Sequence, residues 1–151
     1  MDFRYEVISK SAAETRAAGQ ALAYILKKGM ILPRVITLYG ELGSGKTTFV
    51  QGFAKGLGIT GRLVSPTFII VRRYTIPKDL FSFYHIDLYR TFSLGDLEQI
   101  GVADILSDIH GIIAFEWAQK LGKYLPNERI DVHFDMCVDQ SHKITVEHVK
   151  K

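Results

Sequence analysis

From residue 11 onward, Ala17, Ala21, Leu22, Ile25 and Leu26 recur at the spacing of a helix with one buried face, and Gly29 supplies a stop. Ser11-Ala-Ala-Glu14 ahead of that run is a capping-box pattern, which places the start of the helix there. The period then changes. Val35-Ile36-Thr37-Leu38-Tyr39 is a short β-rich run, Gly40 to Gly45 is punctuated by glycine, and Thr47 to Leu57 returns to helical composition before Gly58. Thr67 to Tyr74 and Leu80 to Tyr89 are rich in β-branched and aromatic residues. The connection Thr75-Ile-Pro-Lys-Asp79 between them predicts an antiparallel hairpin. Leu94 to Leu106 reads as helical with a break near Gly101, Ile112 to Phe115 as a buried strand, and Ala118 to Tyr124 as a short helix. Ile130 to Val138 and Lys143 to Val149 alternate along two further arms joined by Asp139-Gln-Ser-His142. Prolines 33, 66, 77 and 126 fall where elements start or turn. Strands and helices in this order predict one α/β domain over residues 1–151, built on a mixed parallel and antiparallel sheet.

Composition narrows the class without changing that picture. With 47% hydrophobic and 23% charged residues, the chain falls outside the collagen-like, disordered and disulfide-rich groups. Its apolar runs, such as Gly111 to Phe115, fall far short of the roughly 18 residues a membrane-spanning helix needs. Met1-Asp-Phe-Arg-Tyr-Glu6 carries acids and lacks the basic and apolar regions of a secretory signal, so a cytoplasmic location is expected. Cys137 is the sole cysteine, which excludes an internal disulfide and a cysteine-based metal site; in its alternating stretch it reads as a small core residue. A formal charge of +3 permits an anionic partner but is no nucleic-acid-binding signature.

Chemistry enters at Gly40-Glu-Leu-Gly-Ser-Gly45-Lys46-Thr47, which fits G-x-x-x-x-G-K-[ST] at every fixed position between a predicted strand and a predicted helix. Glycines let the backbone wrap so that successive N–H groups face phosphate oxygens, and the helix starting near Lys46 adds the positive end of its dipole. Lys46 is placed to bridge the β- and γ-phosphates, and the Thr47 hydroxyl to ligate Mg²⁺.

Such a site also needs a carboxylate at the end of a neighbouring apolar strand, and two candidates satisfy it: Glu116 after Ile112-Ile-Ala-Phe115, and Asp87 after Phe83-Tyr-His-Ile86. Ser65-Pro-Thr67-Phe68 opens the strand after the loop helix, so Thr67 can approach the γ-phosphate as a switch threonine or simply serve a turn. Trp117 either packs over nucleotide or lysine stem or is an ordinary half-buried strand-end tryptophan. Arg72, Arg73 and Arg90 surround the first hairpin, facing either an anionic partner or solvent. The five histidines lack His-Glu-x-x-His spacing; His85, two residues before Asp87, is the one that shares a strand face with a candidate acid.

In order and spacing, the phosphate loop, Ser65-Pro-Thr-Phe68, His85-Ile-Asp-Leu-Tyr-Arg90 and Glu116-Trp117 resemble the TsaE proteins (formerly YjeE), small bacterial P-loop ATPases of tRNA threonylcarbamoyladenosine synthesis. The resemblance spans roughly Ser11 to Pro126 and implies a three-layer α/β fold of the P-loop NTPase type with a mixed central sheet. It implies that ATP and Mg²⁺ are bound, and that the chain works with the TsaB and TsaD proteins and meets tRNA through that complex. Residue by residue, it implies that Glu41, Leu42, Gly43, Ser44, Gly45, Lys46, Thr47 and Thr48 hold the phosphates. Thr47 and Glu116 would organise Mg²⁺, Asp87 would orient water, Thr67 would sense nucleotide state, Trp117 would sit beside the nucleotide, and Ser11 and Thr15 would lie on the adenine side. Where relatives commonly carry an arginine leading into the last strand, this chain reads His142-Lys143.

Two other classes compete. A small-molecule phosphotransferase needs a lid whose arginines close over the phosphates, for which the chain offers Arg72, Arg73 and Arg90 on a hairpin and no arginine-rich helix. A GTP-dependent switch has the loose D-x-x-G of Asp108-Ile-His-Gly111, but N-K-x-D is absent from the sequence.

Overall fold

The structure is a computed structural model that describes residues 2–29, 34–61 and 70–151. The elements are β1 (Arg4–Ser9), α1 (Ala12–Gly29), β2 (Val35–Tyr39), α2 (Lys46–Gly56), β3 (Val71–Thr75), β4 (Ser82–Asp87), α3 (Leu94–Ile100), α4 (Val102–Ser107), β5 (Gly111–Glu116), β6 (Glu128–Met136) and β7 (His142–Lys150). A 3-10 segment, Ala118–Tyr124, links β5 to β6.

The seven strands form one sheet in the order β1-β7-β6-β2-β5-β4-β3. β2 runs parallel to β5 and β6, and β4 runs parallel to β5; the flanking pairs β3/β4, β6/β7 and β1/β7 are antiparallel. The central strands are apolar on both faces because both faces are covered. Ile36, Leu38, Phe83, Ala114 and Val132 meet Leu22 of α1 and Phe49 and Phe53 of α2 on one side. Ile86, Ile113 and Phe115, one step out of phase, meet Leu97 of α3, Val102 of α4 and Leu121 of the 3-10 segment on the other. The expected three layers about a mixed sheet are therefore present.

Helices α1 and α2 touch backbone to backbone. A Cβ added at Gly52 would stand 1.9 Å from the Arg16 carbonyl oxygen, and one at Gly19 would stand 2.0 Å from that of Phe49, so only glycine permits this approach. On the opposite face, Asp131 of β6 accepts from Arg129 Nε at 2.8 Å and from Thr37 Oγ1 at 2.5 Å, a buried polar cluster beside β2.

The structure adds one strand and corrects one expectation. The added strand is β1: Tyr5 and Val7 alternate with Arg4 and Glu6 and pair with β7, whose partner residues lie far along the chain. Cys137 is neither in a strand nor in the core. β6 ends at Met136, and Cys137 is half-buried in the turn, its amide donating to Ser141 O at 2.8 Å while its carbonyl accepts from the Gln140 amide. The Asp139 carboxylate, accepting from both the amide and the hydroxyl of Ser141, tightens that turn and ends the ladder early. The predicted first arm of the earlier hairpin begins at Thr67, and residues 67–69 lie outside the described residues; β3 and β4 pair as expected.

Candidate phosphate and metal site

Strand β2 ends at Tyr39, and the chain passes through Gly40 to Gly45 into α2. Gly43 and Gly45 take left-handed φ values of 79° and 105°, which fold the loop back on itself, with the Ser44 amide donating to Glu41 O at 3.1 Å. The helical ladder opens with the Phe49 amide donating to Gly45 O, and no side chain caps α2. The amides ahead of Phe49 therefore face outward at the positive end of the helix, which suits an anion. Leu42 is the exposed tip of this loop, and Thr48 is half-buried in the first turn of α2.

Lys46 is 5% exposed. Its Nζ donates to Gly40 O at 2.6 Å and Glu41 O at 2.8 Å, and stands 4.5 Å from the centre of the Trp117 ring. Burial pushes the ammonium below the ordinary lysine pKa, against the pull of Glu116, Asp87 and Glu41. Trp117 holds its ring there from a left-handed backbone, φ 59°, and packs on Tyr89 at 5.0 Å between ring centres. Trp117 is thus half-buried at the end of β5 and also carries the Lys46 ammonium over its ring.

The two candidate acids meet at one edge. β4 and β5 run parallel with Asp87 opposite Glu116, so both carboxylates end their strands side by side, on the face that carries α2. Thr47 Oγ1 lies 2.9 and 3.0 Å from the two oxygens of Glu116, a buried residue, and His85 Nε2 lies 2.5 Å from Glu116 Oε2. Burial raises the Asp87 pKa above the ordinary carboxylate value; the Tyr89 amide on Oδ1 opposes this, and the like charge of Glu116 adds to it.

Does this donor set fit Mg²⁺? Thr47 Oγ, the Glu116 carboxylate and Asp87 beside it are all hard oxygens, and adjacent carboxylates create a demand for a cation. Among the described residues, no cluster of three or more His, Cys, Asp or Glu side chains is arranged to hold a metal. A site of few protein oxygens is the kind in which Mg²⁺ keeps its waters, so the residues fit that ion.

Other sequence candidates divide. Thr15 borders the loop: a Cβ on Gly45 would stand 3.4 Å from Thr15 Cγ2 and 3.6 Å from His142 Nδ1. Ser11 caps α1, accepting from the Glu14 amide at 3.1 Å. Glu14 reaches back to the Lys10 amide, completing the expected cap one residue further out. Thr67, with Ser65 and Phe68, lies outside the described residues. Arg73 is engaged within its own hairpin, on Ser82 Oγ and over the Tyr84 ring. Asp108 takes Tyr84 Oη on one oxygen and the His110 amide on the other, just ahead of β5, the far end of the strand from Glu116, so the D-x-x-G segment has no part in this site. His142, which stands with Lys143 where relatives commonly carry an arginine, also borders the loop; the pairing of β7 with β6 and β1 carries it there.

A glycine loop between β2 and α2, at the carboxyl edge of a three-layer mixed sheet, makes this an α/β protein of the P-loop NTPase-like fold. The family described as "Threonylcarbamoyl adenosine biosynthesis protein TsaE" matches residues 9–144. The chain belongs to the TsaE family. It is 37% identical over 132 residues to the tRNA threonylcarbamoyladenosine biosynthesis protein TsaE of Bacillus subtilis, covering 87% of this chain and 78% of that one. To the protein of the same name from Treponema pallidum it is 33% identical over 139 residues, covering 92% and 97%. The crystal structure of Bacillus subtilis YdiB matches it with a TM-score of 0.74 at 32% identity, over 99% of this chain and 88% of that one.

Proposed function

We propose that this chain is the Mg²⁺-dependent, ATP-binding and ATP-hydrolysing component of tRNA threonylcarbamoyladenosine synthesis, acting in the cytoplasm with TsaB and TsaD and leaving the threonylcarbamoyl transfer to those partners. The observation that carries the reading is the contact of Thr47 Oγ1 with both oxygens of Glu116, which joins the phosphate loop to the carboxylate strand. Names of the relatives supply the pathway; the residues supply the chemistry.

Phosphoryl transfer asks a protein mainly for positioning and charge stabilisation. The uncapped amides of α2 and those of Gly43 and Gly45 would bind phosphate oxygens. Lys46, now donating to carbonyls of the loop itself, would exchange them for the β- and γ-phosphates. Mg²⁺ held by Thr47 and Glu116 would neutralise charge on those phosphates. Asp87, half-buried beside Glu116 on the neighbouring strand, would orient the attacking water, and its environment sets the fraction of it that is ionised.

Steady-state phosphate release from Mg-ATP, measured for the protein alone and with the TsaB–TsaD pair, tests the proposal. Strong stimulation by the pair is the expected result. A protein that binds ATP but shows no stimulation overturns the partner-activated reading and directs the search to small-molecule phosphate acceptors.

A further inference from the structure

We infer that His85 is a positioning residue for Glu116: its Nε2–H fixes which oxygen of that carboxylate is spent on the protein and which is left to face a metal. The inference rests on the Mg²⁺-ATP reading above.

His85 is fully buried on β4. Its register partner on β5 is Ala114, whose small side chain leaves room for the ring to reach Glu116, two residues further along the same face. The ring nitrogens have unequal surroundings. Nε2 lies 2.5 Å from Glu116 Oε2, whereas Nδ1 is buried with no hydrogen-bond partner among the described residues. A proton on Nδ1 would be buried without an acceptor, and would leave the Nε2 lone pair facing a carboxylate oxygen. The proton therefore belongs on Nε2, donated to Oε2.

Thr47 cannot orient this carboxylate by itself. Its hydroxyl is almost equidistant from the two oxygens, at 2.9 and 3.0 Å, so it does not distinguish them. His85 does, because it bonds to Oε2 alone. Oε1 is then the oxygen with spare lone pairs at the loop. A metal-ligating carboxylate is held in this way by an outer partner whose loss weakens metal binding while the ligand itself stays in place.

The test compares wild type with His85→Leu, which fills the space without a donor, and His85→Gln, whose amide can donate near the Nε2 position. ATP affinity is measured for each in Mg²⁺ and in EDTA, with thermal melts alongside. His85→Leu should lose about 10- to 100-fold of the affinity that Mg²⁺ adds, keep the affinity seen in EDTA, and be substantially rescued by Gln. A Leu variant that keeps the full Mg²⁺ gain overturns the role, as does an equal loss with and without Mg²⁺ that Gln does not repair. If the Leu variant does not fold, ¹H–¹⁵N correlation spectra of the wild-type imidazole decide: a proton on Nε2 supports the role, and one on Nδ1 overturns it. A wild-type protein that binds ATP equally in Mg²⁺ and EDTA overturns the Mg²⁺ reading itself, and this role with it.

Discussion

Asp87 and Glu116 occupy the same register position on parallel neighbours, β4 and β5, so two carboxylates close one edge of the sheet beside the phosphate loop. Glu116 finds donors in Thr47 and His85, while Asp87 has the Tyr89 amide and an elevated pKa caused first by burial. A carboxyl whose pKa is higher in the folded than in the unfolded chain holds protons that unfolding releases, so stability falls as pH rises from the ordinary value of 3.8 through the folded pKa. Asp87→Asn should accordingly melt at a higher temperature than wild type at neutral pH in EDTA. The gap should close as pH falls and the wild-type carboxyl takes up its proton. Thermal melts of both proteins across pH check the sign.

The same carboxylate is where turnover should be lost. Asp87→Ala is expected to retain ATP binding and to lower phosphate release by about 10²- to 10⁴-fold, the range for a positioned group acting on a proton or water. Nucleotide titration and phosphate release on one preparation separate the two effects. Turnover at the wild-type rate would remove Asp87 from the mechanism.

Trp117 is the one tryptophan of the chain, and Lys46 Nζ sits 4.5 Å from its ring centre. Its emission therefore reports where the lysine is. Adding Mg-ATP should change the fluorescence as Nζ leaves the loop carbonyls for phosphate. Lys46→Ala should start from a different emission and show no such change over the same titration.

Helix α2 carries the loop, and its clamp on α1 sets the stability of that half of the molecule. Gly52→Ala drives a methyl against the Arg16 carbonyl, a backbone atom that cannot rotate away. The expected cost is about 3 kcal/mol, the upper end for an overpacked core, read from the urea midpoint.

On the other face, Asp131→Ala removes the charge partner of the buried Arg129 guanidinium, which keeps the Pro126 carbonyl, and leaves Thr37 Oγ1 to the Ile130 carbonyl. A loss of about 3–5 kcal/mol is expected for breaking such a pair from one side. Equilibrium unfolding of the single variant measures it.

What was legible in the sequence was local. The α1 start after Ser11, the β2 run, the break at Gly101 and the glycine turn ahead of α2 each depend on a few adjacent residues, and the structure places them as read. Asp87 and Glu116 were both legible as strand-end acids, but their shared register depends on pairing β4 with β5, which neither segment encodes alone. The same limit hid β1: Tyr5 and Val7 do alternate with Arg4 and Glu6, yet a six-residue edge strand acquires meaning only from a partner at 142–147. Cys137 was misread because alternation continues past Met136 in the sequence while the Asp139 turn ends the ladder in space.

Pairing of β1 with β7 also orders events in time. β1 emerges during synthesis long before β7, to which it is hydrogen-bonded, so this edge of the sheet stays open until residues 142–150 have been made. Contacts that distant in sequence close slowly, and they leave Tyr5 and Val7 uncovered on the nascent chain meanwhile. Because β7 also brings His142 up to Gly45, the border of the phosphate loop is completed in that same final step. A polypeptide stalled before residue 142 would carry the loop consensus intact and still lack one wall of its site.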